Sequence, residues 1–229
     1  ITLIAGATDL YWVGGSGNWG DANNWSYSSG GSTCGCIPTL NDNVFFDANS
    51  FSSGGQTVTI DQVAYFKSMN WTGVTNTPTL AGNQTFNIYG SFILSPSMNF
   101  TYTGALFFKS SSLGNTITTA GKTINSTVYF DGLGGEWTLQ DNLTTTSNIN
   151  HVSGSLNANG VTVSAYIFQS TGSGIRSLTL GSSIINVSHT WYNPYYAWQV
   201  SGSNLTFNAG TSTINLTGTT AYFASDSRT

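Results

Sequence analysis

The stretch "LFFKSSS", residues 106–112, has a counterpart in "VYFDGLG", residues 128–134. In each, two bulky apolar residues are followed by one exposed position and a turn of small residues. Four more stretches have this form: "VFFDANS", "AYFKSMN", "YIFQSTG" and "AYFASDS". Marked by their second bulky residue, the six copies stand at Phe46, Phe66, Phe108, Phe130, Phe168 and Phe223, with separations of 20, 42, 22, 38 and 55 residues. Most separations are close to one or two periods of about 20 residues, which is within the range of repeat proteins.

Two weaker copies, "FNIYG" around Ile88 and "SNINH" around Ile149, stand near the midpoints of the two double separations. Helix signals are almost absent, whereas short alternating runs such as "QTVTI" and "EWTLQ" read as half-buried strands. Short strands that repeat at this period predict an all-β fold, a β-solenoid with coils of roughly 20 residues, which we expect to be a right-handed parallel β-helix. The marker phenylalanines would then stack inside the tube. The alternative is a β-sandwich, which does not require a repeat.

The stretch "YWVGGSGNWGDANNW", residues 11–25, contains Trp12, Trp19 and Trp25 among glycines and asparagines. A solenoid exposes the edge of its first coil, and bulky apolar side chains at that end would cover it. We therefore predict an N-terminal strand and Trp/Gly/Asn-rich cap over residues 1–50. Residues 51–229 are predicted to form the solenoid coils. We call the motif with two bulky apolar residues the doublet motif, and a strand that carries it a doublet strand. Because the sequence ends in another copy of this motif, we expect the coils to continue in a longer natural protein.

Charged residues make up only 6% of the chain, and the formal net charge is -4. The five Lys and Arg residues are scattered, so the sequence lacks the basic stripe that neutralises phosphates, and we expect no nucleic-acid partner. No segment approaches the roughly 18 consecutive apolar residues of a spanning helix, so we expect no membrane insertion. A charge-poor chain rich in Ser, Thr, Asn and Gly is typical of secreted or cell-surface β proteins, and we predict an extracellular location.

Cys34 and Cys36 are the only cysteines. Two thiolates cannot complete a structural zinc site of four ligands. They form either a small disulfide loop, for which the one-residue spacer is awkward, or two free thiols. Calcium is the one cofactor that the sequence suggests, because "NDNVFFD" offers oxygen ligands from Asn41, Asp42, Asn43 and Asp47. The alternative is that these side chains close turns through their own backbone.

The stretch "HTWYNPYYAW", residues 189–198, carries five aromatic residues and a proline where the repeat is stretched. Insertions into solenoids often form functional loops. Exposed rings stack on sugars, so we predict a glycan site at Trp191, Tyr192, Tyr195, Tyr196 and Trp198. The alternative is that the loop packs over the side of the solenoid.

Many parallel β-helices cleave polysaccharides, a reaction that needs grouped carboxylates. The best group is Asp131, Glu136 and Asp141, yet a spacing of five on one strand places neighbours on opposite faces. We therefore expect no catalysis, with a polysaccharide lyase or hydrolase as the alternative. A third reading, an ice- or surface-binding solenoid, rests on Thr-x-Thr pairs at Thr57/Thr59, Thr77/Thr79, Thr101/Thr103, Thr116/Thr118 and Thr144/Thr146.

Residues 11–25, "PTLNDNVFFDANSF" at residues 38–51 and "VTID" at residues 58–61 together resemble the opening of large secreted β-helical proteins of the Bacteroidota type. They are also similar to the W-x-G-G…NW…NW openings of autotransporter-like adhesins. The resemblance implies a secreted or surface-exposed, multidomain, adhesin-like protein exported by the type 9 route, and it brings no catalytic residues. We expect a non-catalytic structural or adhesive module that recognises a glycan or cell-surface ligand. Its partners would include further domains of the same chain or copies associated end to end.

Overall fold

The computed structural model describes residues 7–190, 196–219 and 221–225. Apart from a 3-10 turn at Ala22–Asn24, the regular elements of these residues are strands. The first thirteen are β1 (Asp9–Trp12), β2 (Gly17–Asn18), β3 (Trp25–Ser26), β4 (Asn43–Phe45), β5 (Thr57–Ile60), β6 (Ala64–Phe66), β7 (Met69–Asn70), β8 (Thr79–Gly82), β9 (Phe86–Ile88), β10 (Phe92–Ile93), β11 (Asn99–Phe100), β12 (Leu106–Phe108) and β13 (Asn115–Thr118). The others are β14 (Thr123–Ile124), β15 (Val128–Leu139), β16 (Leu143–Thr145), β17 (Asn148–Asn157), β18 (Thr162–Ala165), β19 (Ile167–Ser170), β20 (Arg176–Thr179), β21 (Ile184–Val187), β22 (Trp198–Val200), β23 (Leu205–Asn208), β24 (Thr213–Leu216) and β25 (Phe223–Ser225).

The strands form a parallel β-solenoid with three faces, each coil adding one strand to each face in turn. The first face contains β1, β4, β7, β10, β13, the second halves of β15 and β17, β20 and β23. The second face consists of two sheets, β2-β5-β8-β11 and β14-β16-β18-β21-β24. The third face contains β6, β9, β12, the first halves of β15 and β17, β19, β22 and β25. The two long strands, β15 and β17, run from the third face round the corner onto the first.

The strand register confirms the predicted repeat. Along one interior column of the third face Phe66 is paired with Ile88, Ile88 with Phe108, and Phe108 with Phe130, so the coils advance by 22, 20 and 22 residues. Each strand alternates inward apolar and outward side chains, and the inward ones stack from coil to coil into one continuous core. Ile88, one of the weaker copies, is therefore a true member of the ladder.

Three of the six markers are not in the column that the sequence predicts. Phe46 follows β4 on the first face, where its ring stacks on Trp71 at 3.9 Å. Phe168 is paired with Ile149 and with Trp198, and Phe223 with Trp198, so these markers occupy a column two residues earlier along the strand. The doublet motif shows that a strand is present but does not say which of its two inward positions a bulky residue fills.

The tryptophan-rich opening forms the structural cap. Trp12, Trp19 and Trp25 are all completely buried, which confirms that they are structural. β3 lies antiparallel to β1 and places Trp25 opposite Trp12, while the other edge of β1 is paired in parallel with β4. Among the described strands this is the only antiparallel pair, and it covers the edge that would otherwise be open to another chain. β1 and β2 already pair in parallel with β4 and β5, so the first coil and the cap share the same residues.

Cys34 and Cys36 form a disulfide in the cap. Their Cα atoms are 5.2 Å apart, within the usual 4.4–6.8 Å range, so the one-residue spacer does not prevent the bond. The bridge follows a hairpin in which Ser26 pairs with Thr33 and the Cys34 amide donates to the Trp25 carbonyl. The cysteines are partly buried and pack against the core.

Glycines allow the coils to stack closely at the corner between the third and first faces. Gly154 has a φ of +87°, and a Cβ there would lie 2.4 Å from the Gly132 carbonyl oxygen and 3.0 Å from that of Gly135. Gly114 has a similar φ of +76°, but a Cβ there would meet nothing within 4 Å. The two glycines therefore share a backbone conformation and differ in how closely the next coil approaches.

We expect Gly154→Ala to lower the free energy of unfolding by about 2 kcal/mol more than Gly114→Ala. Both variants carry a cost of about 1 kcal/mol for a side chain at positive φ, and only the first forces two coils apart. Urea unfolding of both variants measures the difference. Equal losses would contradict the close stacking of coils at this corner.

Candidate functional site

One outward row of the third face combines aromatic rings with side-chain amides. The middle residue of each third-face strand points outward, and successive coils bring these positions into register. From β6 onward the row reads Tyr65, Asn87, Phe107, Tyr129, Asn150, Gln169 and Gln199. We call it the aromatic–amide row.

Asn87, which is buried, stands between Tyr65 and Phe107, whereas the three positions after Tyr129 are all amides, from Asn150 to Gln199. The rings of Phe107 and Tyr129 are stacked, with centroids 4.2 Å apart and planes within 2°. Asn150 and Gln169 are half-buried, and their side-chain amides make no hydrogen bond within the described residues. The outward amides of the second face differ, since Asn215 Nδ2 donates to Asn186 Oδ1 at 2.9 Å. The third face thus presents unused donors and acceptors beside a stacked ring.

A depression of about 290 Å³ lies where the stack ends. Its lining comprises Tyr129, Asn150, His151, Val152, Gln169 and Thr171. The volume is at the lower end of ligand pockets, which are about 300–1,000 Å³, and suits a single ring. Tyr129 and Val152 supply the apolar part of the lining, and Asn150, Gln169 and Thr171 supply polar groups that could fix the orientation of a ligand.

A buried polar network supports the floor of the depression. The Arg176 guanidinium donates to the Ser170 hydroxyl at 3.0 Å, and the Ser170 hydroxyl is 3.1 Å from His151 Nδ1. His151 Nε2 lies 2.9 Å from the Gly154 carbonyl oxygen, which can only accept. His151 therefore carries its proton on Nε2 and accepts from Ser170 through Nδ1, as a neutral imidazole.

The surroundings keep His151 neutral to low pH. Burial and the nearby positive charge of Arg176 lower the pKa of His151 to about 4, although the hydrogen bond to Gly154 acts in the opposite direction. An imidazole in the unfolded chain has a pKa of about 6.5. Between about pH 6.5 and 4 the unfolded chain therefore binds more protons than the folded protein, so the free energy of unfolding decreases as the pH is lowered through this range.

We expect the free energy of unfolding to fall by about 3 kcal/mol because of His151 as the pH is lowered from about 6.5 to about 4. Below that range His151 should cause no further loss. Urea unfolding of the protein and of His151→Gln, measured across this range, tests the sign and size. The variant should lose less stability on acidification. Parallel pH curves for the two proteins would contradict a neutral, buried His151.

The predicted aromatic loop lies only partly within the described residues. Trp191, Tyr192 and Tyr195 fall outside them. Tyr196 is 38% exposed and remains a candidate for ligand contact. Trp198 is an interior residue of β22 and is completely buried, with its ring stacked on Phe168 at 4.8 Å. Trp198 therefore belongs to the core ladder, and it has no ring face to offer a sugar.

The predicted calcium ligands are not gathered into one site. Asp42 precedes β4 and Asp47 lies two residues after its end, so five steps of extended chain, or roughly 16 Å, separate them. The Asp42 carboxylate accepts from the Thr39 amide at 2.9 Å and from its hydroxyl at 2.6 Å. Asp47 Oδ1 accepts from the Asn49 amide, Asn43 Nδ2 donates to Asp9, and Asn41 is exposed. These side chains close turns and link strands. No group of three or more His, Cys, Asp or Glu side chains in the described residues is arranged to hold a metal.

The three carboxylates considered for catalysis are distributed along β15 and beyond its end. Asp131 lies at the corner between the third and first faces and accepts from the Ser153 hydroxyl at 3.1 Å. Asp141 follows the other end of β15 and accepts from the Thr119 amide at 2.7 Å. Glu136 lies between them, five residues from each. Glu136 lies within β15, whereas Asp141 lies in a bend two residues beyond its end, where its carboxylate also accepts from the Ala120 amide. The Asp141 carboxylate therefore holds the turn that follows β13.

The threonine pairs do not form a plane. Thr57 is opposite Thr79 on the second face, but Thr59 is opposite Ala81. Thr116 and Thr118 lie on β13 of the first face. An ice-binding surface needs pairs in register on consecutive coils of one face, and this arrangement does not provide it.

The residues of the depression could be recognised in the sequence only from the middle letter of each doublet strand. "LFF" and "VYF" have an outward aromatic ring at Phe107 and Tyr129, and "INH" and "FQS" have an outward amide at Asn150 and Gln169. In these two motifs the marker phenylalanine points inward, and the ring before it belongs to the aromatic–amide row. The alternation of inward and outward positions was the signal that identifies it.

Comparisons with models of known protein families, with curated proteins and with solved structures found no match to this chain. Among the described residues no helix is long and apolar enough to cross a membrane. Function must therefore be inferred from the sequence and structure of the chain itself.

Proposed function

We propose that this protein is a non-catalytic module of a secreted or cell-surface, adhesin-like protein and that it recognises glycans through the third face of its solenoid. The observation that carries the proposal is the depression at the end of the Phe107–Tyr129 stack, where the free amides of Asn150 and Gln169 meet an aromatic wall. An aromatic face is electron-rich and attracts the C–H face of a sugar ring. Each carboxamide both donates and accepts, as neighbouring sugar hydroxyls do.

The composition of the chain supports an extracellular setting for this activity. The disulfide between Cys34 and Cys36 is a feature of oxidising compartments. Only 6% of residues are charged, so a glycan partner fits this surface better than an ionic one. The resemblance of residues 11–61 to secreted β-helical adhesins favours the same setting.

A glycan-array screen of the purified chain, with calcium and with a chelator, tests the proposal. We expect selective binding under both conditions. The double variant Asn150→Ala/Gln169→Ala should bind about 30-fold more weakly, because each lost hydrogen bond is worth about 1 kcal/mol.

The matched control is Asn186→Ala/Asn215→Ala, which removes two outward amides of the second face that bond to each other. Binding by this control should equal that of the unmodified protein. Loss of binding only in Trp191→Ala/Tyr195→Ala would place the site in the aromatic loop, and no binding by the unmodified protein would refute glycan recognition.

A further inference from the structure

The stack of outward rings contains only Phe107 and Tyr129, so one face of Tyr129 has no ring packed against it. This free face indicates where a ligand would bind. The two rings lie on adjacent coils with nearly parallel planes, so each ring is perpendicular to the solenoid axis and faces the neighbouring coil. At the next coil the equivalent position is Asn150, and after it Gln169. An amide side chain is smaller than an aromatic ring, so the face of Tyr129 that points towards Asn150 borders the depression.

The space beside Tyr129 has the dimensions of a further ring in the stack. Neighbouring coils are about 4.8 Å apart, which is near the stacking distance of two flat rings. The depression extends over the three coils that contribute Tyr129, Asn150 and Gln169, a length of about 10 Å along the axis. Gln199 occupies the same row on the coil beyond.

We propose that a neutral pyranose ring fills this space as the next member of the stack, packed against Tyr129 and hydrogen-bonded by Asn150 and Gln169, with the glycan running along the solenoid axis towards Gln199. This inference rests on the proposed glycan-binding function and specifies its ligand. A ring with equatorial substituents suits a space that Tyr129 borders on one side and that Asn150, Gln169 and Val152 line.

The charge distribution around the depression selects an uncharged ligand. Its outward lining is uncharged, and the exposed Asp131 lies two residues beyond Tyr129 on the same side of β15. The ammonium group of Lys109 lies 5.1 Å from the ring centroid of Phe107, at the other end of the stack. The Arg176 guanidinium is buried below, where it holds the carbonyls of Gly172 and Ser201. An acidic sugar would therefore find no cation among the residues that line the depression.

Titration calorimetry with two sets of probes tests this inference. The neutral probes are β-linked glucose and N-acetylglucosamine oligosaccharides of increasing length, and the acidic probe is an oligogalacturonate. We expect neutral probes to bind at least about tenfold more tightly than the acidic one, with affinity that rises as the glycan lengthens from one ring to two.

Variants of Tyr129 test the stacking. Tyr129→Phe keeps the ring and should bind as the unmodified protein does, whereas Tyr129→Ala should bind at least about tenfold more weakly. The matched control is Tyr11→Ala, because Tyr11 is also an outward ring stacked on its neighbour, Phe45, but on the first face. Unfolding midpoints of all three variants confirm that each is folded at the temperature of the titration.

The outcomes separate this inference from the function on which it rests. Preference for the acidic probe, or unchanged neutral-glycan binding by Tyr129→Ala, would overturn the inference and leave glycan recognition standing. Absence of binding to every probe and to every glycan of the array would overturn both.

Discussion

Replacing Trp25 with alanine is expected to lower the free energy of unfolding by about 3–5 kcal/mol, the range for removing a large ring from a core. Trp25 is completely buried and is central to the cap. Its ring lies 5.1 Å from that of Trp12, 4.8 Å from Trp19 and 5.9 Å from Phe46. Its Nε1 also donates to the Trp19 carbonyl at 3.0 Å. The truncation would leave a cavity against rigid neighbours and remove that donor.

Chemical denaturation followed by far-ultraviolet circular dichroism measures this loss. Tyr27→Ala is the control, because Tyr27 lies two residues away and is 63% exposed, and it should change stability by no more than about 0.5 kcal/mol. A small effect of Trp25→Ala would show that the tryptophan-rich opening does not close the solenoid.

Arg176→Met is expected to lower the free energy of unfolding by about 3 kcal/mol or more, since charge-assisted bonds are worth about 1.5–3 kcal/mol each. Arg176 is 2% exposed. Its guanidinium donates to the Gly174, Gly172 and Ser201 carbonyls at 3.1, 2.8 and 3.0 Å and to the Ser170 hydroxyl. Methionine keeps most of the length and the apolar stem of the side chain. The loss of stability therefore measures the contribution of the guanidinium hydrogen bonds.

Lys122→Met is the control for this substitution. Lys122 makes one exposed hydrogen bond, to the Pro96 carbonyl, and its replacement should have little effect on stability. A nuclear magnetic resonance titration of His151 supplies a second readout, because removing the positive charge of Arg176 should raise the pKa of His151. Unchanged stability together with an unchanged pKa would contradict the buried network.

The repeat was predictable because interior positions of a solenoid must recur in every coil. Phe66, Phe108 and Phe130 are paired column members as predicted, and Ile88 fills the first gap. The column of Phe168 was not predictable, because an inward residue two positions away satisfies the same pattern. The role of Arg176 was not predictable either, since its acceptors come from backbone carbonyls that only the fold brings together.

The candidate site was harder to predict from the sequence than the fold. An irregular aromatic stretch attracts attention in a sequence, but Trp198 is buried in one column with Phe168, and Phe223 continues that column as an exposed residue on the last described coil. Asn150 and Gln169 are unremarkable in a chain rich in amides. They stand out only because register places them next to Tyr129 and because their side chains lack the partners that Asn186 and Asn215 provide for each other.

A crystal structure of the protein bound to a neutral β-linked oligosaccharide is the most direct test of the central claim. We predict a sugar ring packed on the Tyr129 face that points towards Asn150, with hydroxyls hydrogen-bonded to Asn150 and Gln169 and the next sugar directed along the third face. A sugar bound at Tyr196 and the aromatic loop, or on another face, with the depression beside Tyr129 left empty, would contradict the account.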